Sequence, residues 1–211
     1  MIQESLTTVG ILIFDDVEVL DFCGPFEVFS VARPIGKNSD ETRLFNVVTI
    51  AMEDRIVTCR GGLLVKPHMT IEKHPPLDML VIPGGQGTRR ERHNQRLLDW
   101  IDQQNQHTNI MASVCTGAFL LAERGLLDHH RATTHWGSID WMRNMYPSVE
   151  MVTDERVVDE GHIITSAGVS AGIDMSLHVV SRMFGADVAV WTAKQMEYNW
   201  TTSLRCNEID R

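Results

Sequence analysis

The chain has 211 residues, 43% of them hydrophobic, with 19 basic against 28 acidic side chains and a formal charge of −9. Length and composition suit one globular domain spanning residues 1–211 and exclude disordered and collagen-like chains. The acidic balance argues against a nucleic-acid backbone binder, which needs clustered positive charge, and no apolar run approaches the ~20 residues of a membrane helix.

The run Thr8–Phe14 is continuously apolar, as in a strand buried on both faces, and Asp15-Asp16 breaks it. After Leu20-Asp21-Phe22-Cys23, the pair Gly24-Pro25 reads as a helix start with proline in the first turn, and Arg33-Pro34 stops that helix. Pro34–Thr42 is polar and predicts a flexible loop. Leu44–Ala51 is a second strand, and Arg60-Gly61-Gly62 a turn before the short arm Leu63-Leu64-Val65. Leu77–Ile82 is a buried strand ending at Pro83-Gly84-Gly85. Leu97, Leu98, Trp100 and Ile101 mark a helix, Asn109–Val114 a strand, and Phe119–Arg124 a helix ending at Gly125. Trp136–Met145 reads as helical. Arg156–Val158 and His162–Thr165 are strands around Glu160-Gly161, and helices 170–184 and 186–198 flank Gly185. Strands alternating with helices predict an α/β fold: a mostly parallel sheet with helices on both faces.

Ligands of an open parallel sheet bind beyond the carboxyl ends of its strands. Asp21, Gly84-Gly85 and Cys115 all follow predicted strands. Small neighbours, Ser113, Thr116, Gly117 and Ala118, permit a sharp strand-to-helix turn at Cys115, similar in logic to a Gly-x-Ser-x-Gly elbow without its first glycine. A helix N-terminus there would favour thiolate over thiol; the alternative is a small buried hydrophobe. Gly84-Gly85 permits close backbone approach and, with the Thr116 N–H, would form an oxyanion-type hole; alone it is equally a plain turn. Asp21 is a proton-transfer candidate if it folds against the cysteine, and otherwise a turn or helix-start aspartate.

No cofactor or metal is expected. Gly85-Gln86-Gly87 lacks the third glycine of a dinucleotide fingerprint, and no GK[ST] occurs. Asp128-His129-His130 with His135 matches no zinc spacing. The four cysteines, Cys23, Cys59, Cys115 and Cys206, contain no CxxC and are expected to be reduced thiols. Met1–Ser5 has no signal-peptide pattern, which predicts a cytoplasmic protein.

Five segments together are similar to a known family: Leu20–Pro25, Ile82–Gly85, Ser113–Ala118, Arg131–Trp136 and Thr165–Asp174. On these, nearly the whole chain resembles the DJ-1/PfpI (ThiJ) superfamily, and within it the isonitrile hydratase branch; the same segments occur in the sensor domains of AraC-type regulators. The resemblance implies a flavodoxin-like three-layer sandwich of the class I glutamine amidotransferase type, usually a homodimer. It implies Cys115 as nucleophile, Asp21 as its acidic partner and Thr116 as the residue after the elbow. Gly84 and Gly85 would border the oxyanion site, with His135 nearby. Superfamily proteases carry histidine where this chain has Thr116, against peptidase activity, and Asp21 stands where DJ-1 has glutamate. The chain ends soon after its last predicted helix, so no DNA-binding region is expected. The implied activity is cysteine-dependent hydration of a small, neutral isonitrile to an N-substituted formamide. The alternatives are a glyoxalase or hydrolase acting on small carbonyl compounds, with His135 as base, and a non-catalytic cysteine redox sensor or ligand-binding module.

Overall fold

The computed structural model describes residues 6–37, 39 and 42–201. The first apolar run becomes β1 (Thr7–Leu12), followed by α1 (Val19–Val31) and β2 (Phe45–Ala51). Short strands β3 (Val57–Thr58) and β4 (Leu64–Val65) pair as an antiparallel ribbon, ahead of β5 (Met69–Thr70) and β6 (Met79–Ile82). Helices α2 (Thr88–Glu91) and α3 (Gln95–Asn105) lead to β7 (Ile110–Val114) and α4 (Ala118–Glu123). Then come β8 (Arg131–Ala132), α5 (Ile139–Met145) and β9 (Glu150–Met151), with β8 and β9 paired in parallel. The hairpin β10 (Val157–Asp159) and β11 (Ile163–Ser166) precedes α6 (Ala171–Phe184) and α7 (Ala186–Gln195).

Seven strands form one sheet in the order β10-β11-β7-β6-β1-β2-β5, parallel throughout except for β10. Residues of β6 and β7 are buried along their whole length, which a strand covered on both faces requires. One layer is α1, α6 and α7, packed on each other; the other holds α2, α3 and α4, with α5 joined to it where Trp141 meets Phe119 at 4.3 Å between ring centres. The result is a flavodoxin-like three-layer sandwich. Register places the site: Ile11 lies opposite Val81, and Val81 opposite Ala112. The carboxyl ends of β1, β6 and β7 therefore open side by side, and the chain reverses strand order between β1 and β6, the position where such sheets bind ligands.

Gly24-Pro25 does not start a helix. The helix α1 begins at Val19, and Pro25 lies inside it. A proline in mid-helix gives up one backbone bond to the carbonyl four residues back, and packing offsets the loss. A Cβ on Gly24 would come within 2.9 Å of Ile173 Cγ1, and one on Gly172 within 3.4 Å of Pro25 Cδ. The pair thus lets α1 and α6 close on each other, and the earlier start makes Asp21 a first-turn residue. The expected helix at Trp136 begins with a 3-10 turn and becomes α-helical only at Ile139. Within the expected 34–42 loop, Asn38, Asp40 and Glu41 lie outside the described residues, as does Cys206. Among the described residues no helix is long and apolar enough to cross a membrane.

Candidate active site

Cys115 follows the last residue of β7 and has φ 58, a left-handed backbone that costs an L-residue about 1–3 kcal/mol. Two bonds hold it there: Cys115 N–H donates to the Ala167 carbonyl (3.1 Å), and Thr134 Oγ1–H donates to the Cys115 carbonyl (2.7 Å). Gly117 is required one step on, because a Cβ there would stand 2.0 Å from the Ile82 carbonyl oxygen. The end of β6 and the elbow after β7 are therefore pressed backbone to backbone. The sulfur-bearing residue is only 6% exposed.

Asp21 reaches the same point from α1 and is wholly buried. Its Oδ2 accepts the Gly84 N–H at 2.9 Å, while Oδ1 has no fixed hydrogen-bond partner. The Cys115 thiol approaches the carboxyl without forming a bond of good geometry, yet closely enough that each alters the other's proton affinity. Gly84 permits the arrangement, since its Cβ would lie 2.5 Å from Thr116 N and 2.8 Å from Asp21 Oδ2. Burial raises the carboxyl to about 7, against the lowering effect of the Gly84 N–H and the thiol; the Glu18 carboxylate pushes it further up. Burial also raises the thiol, to about 12, and the Asp21 charge adds to the rise. The expectation of a thiolate favoured by the helix terminus is thus corrected: desolvation outweighs the N–H groups of Thr116 and Val169 that face the sulfur.

Thr116 ties the elbow to the glycine loop. Its Oγ1 accepts from Gly85 N–H (3.0 Å) and from the Thr88 hydroxyl (3.1 Å). The Gly84 and Gly85 N–H groups are both engaged in this way, so the donors directed at the sulfur are Thr116 N–H and Val169 N–H. His135 lies half-buried against Gly168, where a Cβ would meet its ring at 2.3 Å. Its Nδ1 accepts the Gly137 N–H (3.1 Å), which leaves Nε2 to carry the proton, and burial holds its pKa down. Cys23 and Cys59 are reduced, and burial raises both thiols.

Two residues of the site carried no sequence signal of their own. Glu18 donates its N–H to the Gly84 carbonyl (2.9 Å), and its carboxylate pairs with Arg60 at 2.6 Å. Val169 falls within the motif Thr165–Asp174, but a left-handed valine is not visible in a sequence; its φ is 54. Among the described residues no group of three or more His, Cys, Asp or Glu side chains is placed to hold a metal ion.

The model of the DJ-1/PfpI family matches residues 7–182. Isonitrile hydratase of Pseudomonas putida is 33% identical over 192 residues, which cover 90% of this chain and 78% of that protein. The HTH-type transcriptional regulator GbdR of Pseudomonas aeruginosa is 25% identical over 191 residues, 90% of this chain but 50% of the regulator, so this chain spans about half its length. Among solved structures, a THiJ/PfpI family protein from Pseudomonas syringae superposes with a TM-score of 0.81 at 26% identity, covering 93% of this chain and 77% of that one.

Proposed function

Since the chain belongs to the DJ-1/PfpI family, we propose that it hydrates a small, neutral isonitrile to an N-substituted formamide, with Cys115 as nucleophile and Asp21 as its proton partner. The observation that carries this reading is the buried Cys115–Asp21 pair, with the N–H groups of Thr116 and Val169 facing the sulfur. The likeness to isonitrile hydratase supports the choice of substrate.

With the carboxyl near 7 and the thiol well above it, the site above neutral pH holds one proton and one negative charge between two groups. Asp21 takes the thiol proton as sulfur bonds to the terminal isonitrile carbon, and returns that proton to the same carbon. The product of this step is a thioimidate, S–CH=N–R. Asp21 then removes a proton from water as the water oxygen adds to the carbon, and passes it to nitrogen. In the last step the hydroxyl proton goes to Asp21, the carbonyl forms and the C–S bond breaks. The formamide leaves, and the thiol is restored. Thr116 N–H and Val169 N–H stabilise sulfur while it carries the charge. Gly84 orients the carboxyl, and Gly85 acts through the Thr116 hydroxyl.

A glyoxalase on this site would call on His135 as base, but its only unprotonated nitrogen already accepts the Gly137 N–H, which favours the isonitrile reading. A redox sensor needs an accessible, low-pKa thiol; Cys115 is buried and raised. A cytoplasmic homodimer belongs to the same reading, with the exposed apolar side chains Leu20, Leu64 and Trp136 available for a subunit contact; sedimentation velocity tests it. The function is tested by incubating the protein with a small aliphatic isonitrile and, separately, with methylglyoxal. Formamide released by the wild type and not by Cys115→Ala supports the proposal. Turnover of methylglyoxal alone, or an unchanged rate in Cys115→Ala, overturns it.

A further inference from the structure

Val169 is β-branched and sits at φ 54, a region such a side chain adopts only where its surroundings impose it. It lies on the turn 167–170 between β11 and α6, and its N–H faces both the Cys115 sulfur and the Asp21 carboxyl. The turn is held from two directions. On the site side, Ala167 accepts the Cys115 N–H at 3.1 Å. On the far side, Arg156 holds it at two points: its carbonyl accepts the Ala167 N–H (2.9 Å), and its Nη2 donates to Ser170 Oγ (3.1 Å).

The guanidinium is itself fixed. Arg156 Nε and Nη2 both reach Asp174 Oδ2, at 2.7 and 2.6 Å, and Asp174 Oδ1 accepts the Tyr198 hydroxyl at 3.0 Å. Asp174 is a first-turn residue of α6, where the helix end also favours its charge. An exposed ion pair contributes little, but these side chains are 30% and 14% exposed, and the bonds span the turn rather than decorate it. We infer that Arg156, working through Ser170 and Asp174, is a positioning residue that keeps Val169 in its left-handed conformation and so keeps the Val169 N–H on the Cys115 sulfur. Released from the clamp, a valine returns to the extended or right-handed region, and its N–H turns away. The inference rests on Cys115 being the reacting sulfur, but not on which substrate it attacks.

The measurement is the rate of Cys115 alkylation by iodoacetamide as a function of pH, read by peptide mass spectrometry so that the other cysteines do not contribute. The titratable groups that shape this profile are Asp21 from α1, which acts on the sulfur directly, and Glu18 just ahead of that helix, which acts through Asp21 and pairs with Arg60; none belongs to the clamp. Arg156→Ala should move the profile to higher pH and lower the rate at a fixed pH about tenfold, the effect of losing one hydrogen bond to a charged acceptor. Adding Val169→Gly should recover part of that rate, because glycine holds a positive φ without a clamp. A folded Arg156→Ala protein with the wild-type profile overturns the inference. So does a loss of the same size with Val169→Gly present, which would assign it to packing. If Arg156→Ala does not fold, Arg156→Lys replaces it: a single ammonium cannot span Asp174 and Ser170 together, so an unshifted profile is again refuting. Absence of isonitrile turnover with a shifted alkylation profile would count against the proposed substrate and leave this inference standing.

Discussion

Replacing Asp21 with asparagine stabilises the fold above neutral pH while it stops the chemistry. The carboxyl ionises at 3.8 in an unperturbed chain and at about 7 in the folded protein, with burial as the main cause. Between those values the folded state holds one proton more than the unfolded state. Stability therefore falls as pH rises through that interval and levels off above about 7. The full penalty is about 4 kcal/mol, an upper bound because a folded site relaxes around a buried charge. Asparagine keeps the shape, and its carbonyl still accepts the Gly84 N–H that Oδ2 accepts at 2.9 Å. It carries no charge at any pH, so the penalty disappears.

For a chain of this size each kcal/mol is worth about 2–4 °C in Tm, so Asp21→Asn gains roughly 5–15 °C near pH 8 and almost nothing near pH 4. Thermal unfolding of both proteins across that pH range is the assay, with turnover measured on the same samples. A variant that melts at or below the wild type above pH 7 refutes the reasoning. So does a gain that does not change with pH, because the charged carboxylate would then not be what burdens the fold. Retained turnover would remove Asp21 from the mechanism even if the stability result held.

Three further outcomes follow from the same geometry. On the acid side kcat/KM rises about tenfold per pH unit and reaches a plateau near 7, because a protonated Asp21 has no place for the thiol proton; a pH–rate profile checks this. Thr116→Val leaves the buried Gly85 N–H without its 3.0 Å acceptor and lowers stability by about 1–3 kcal/mol in denaturant titrations, with Thr116→Ser close to wild type. Gly117→Ala puts a Cβ 2.0 Å from the Ile82 carbonyl, a clash of backbone with backbone that no side-chain movement relieves; chemical denaturation should show a loss of at least about 2 kcal/mol.

The parallel sheet was legible because its inner strands are buried on both faces and read as continuous apolar runs. Leu77–Ile82 and Asn109–Val114 enclose the observed β6 and β7 within two residues. The convergence of Asp21, Gly84 and Cys115 followed from strand ends alone, since adjacent parallel strands in register open their carboxyl ends at one place. What misled was local preference. Gly24-Pro25 has the composition of a helix boundary, and only the contact of α1 with Ile173 and Gly172 explains its place inside a helix. The two-residue strands β5, β8 and β9 have no periodicity to detect. Val169 illustrates a different limit: glycine announces a positive φ, whereas a valine forced there by Arg156 and Asp174 leaves no local trace.

The largest correction concerns what makes the sulfur reactive. A helix terminus was expected to stabilise thiolate directly, but α4 is only six residues long, and Cys115 is buried ahead of it. Desolvation carries the thiol upward, to about 12. The same desolvation carries Asp21 from 3.8 to about 7, and that makes it a base on the order of a thousandfold stronger than a solvated aspartate. The thiol rises with it, from 9.0 to about 12, so the two groups stay about five units apart, as they are in water. Burying both together therefore removes the free thiolate without widening the gap that proton transfer must cross when substrate arrives. The two N–H groups of Thr116 and Val169 then act on the sulfur only while it is charged, which is the interval in which stabilisation lowers a barrier rather than deepening the resting state.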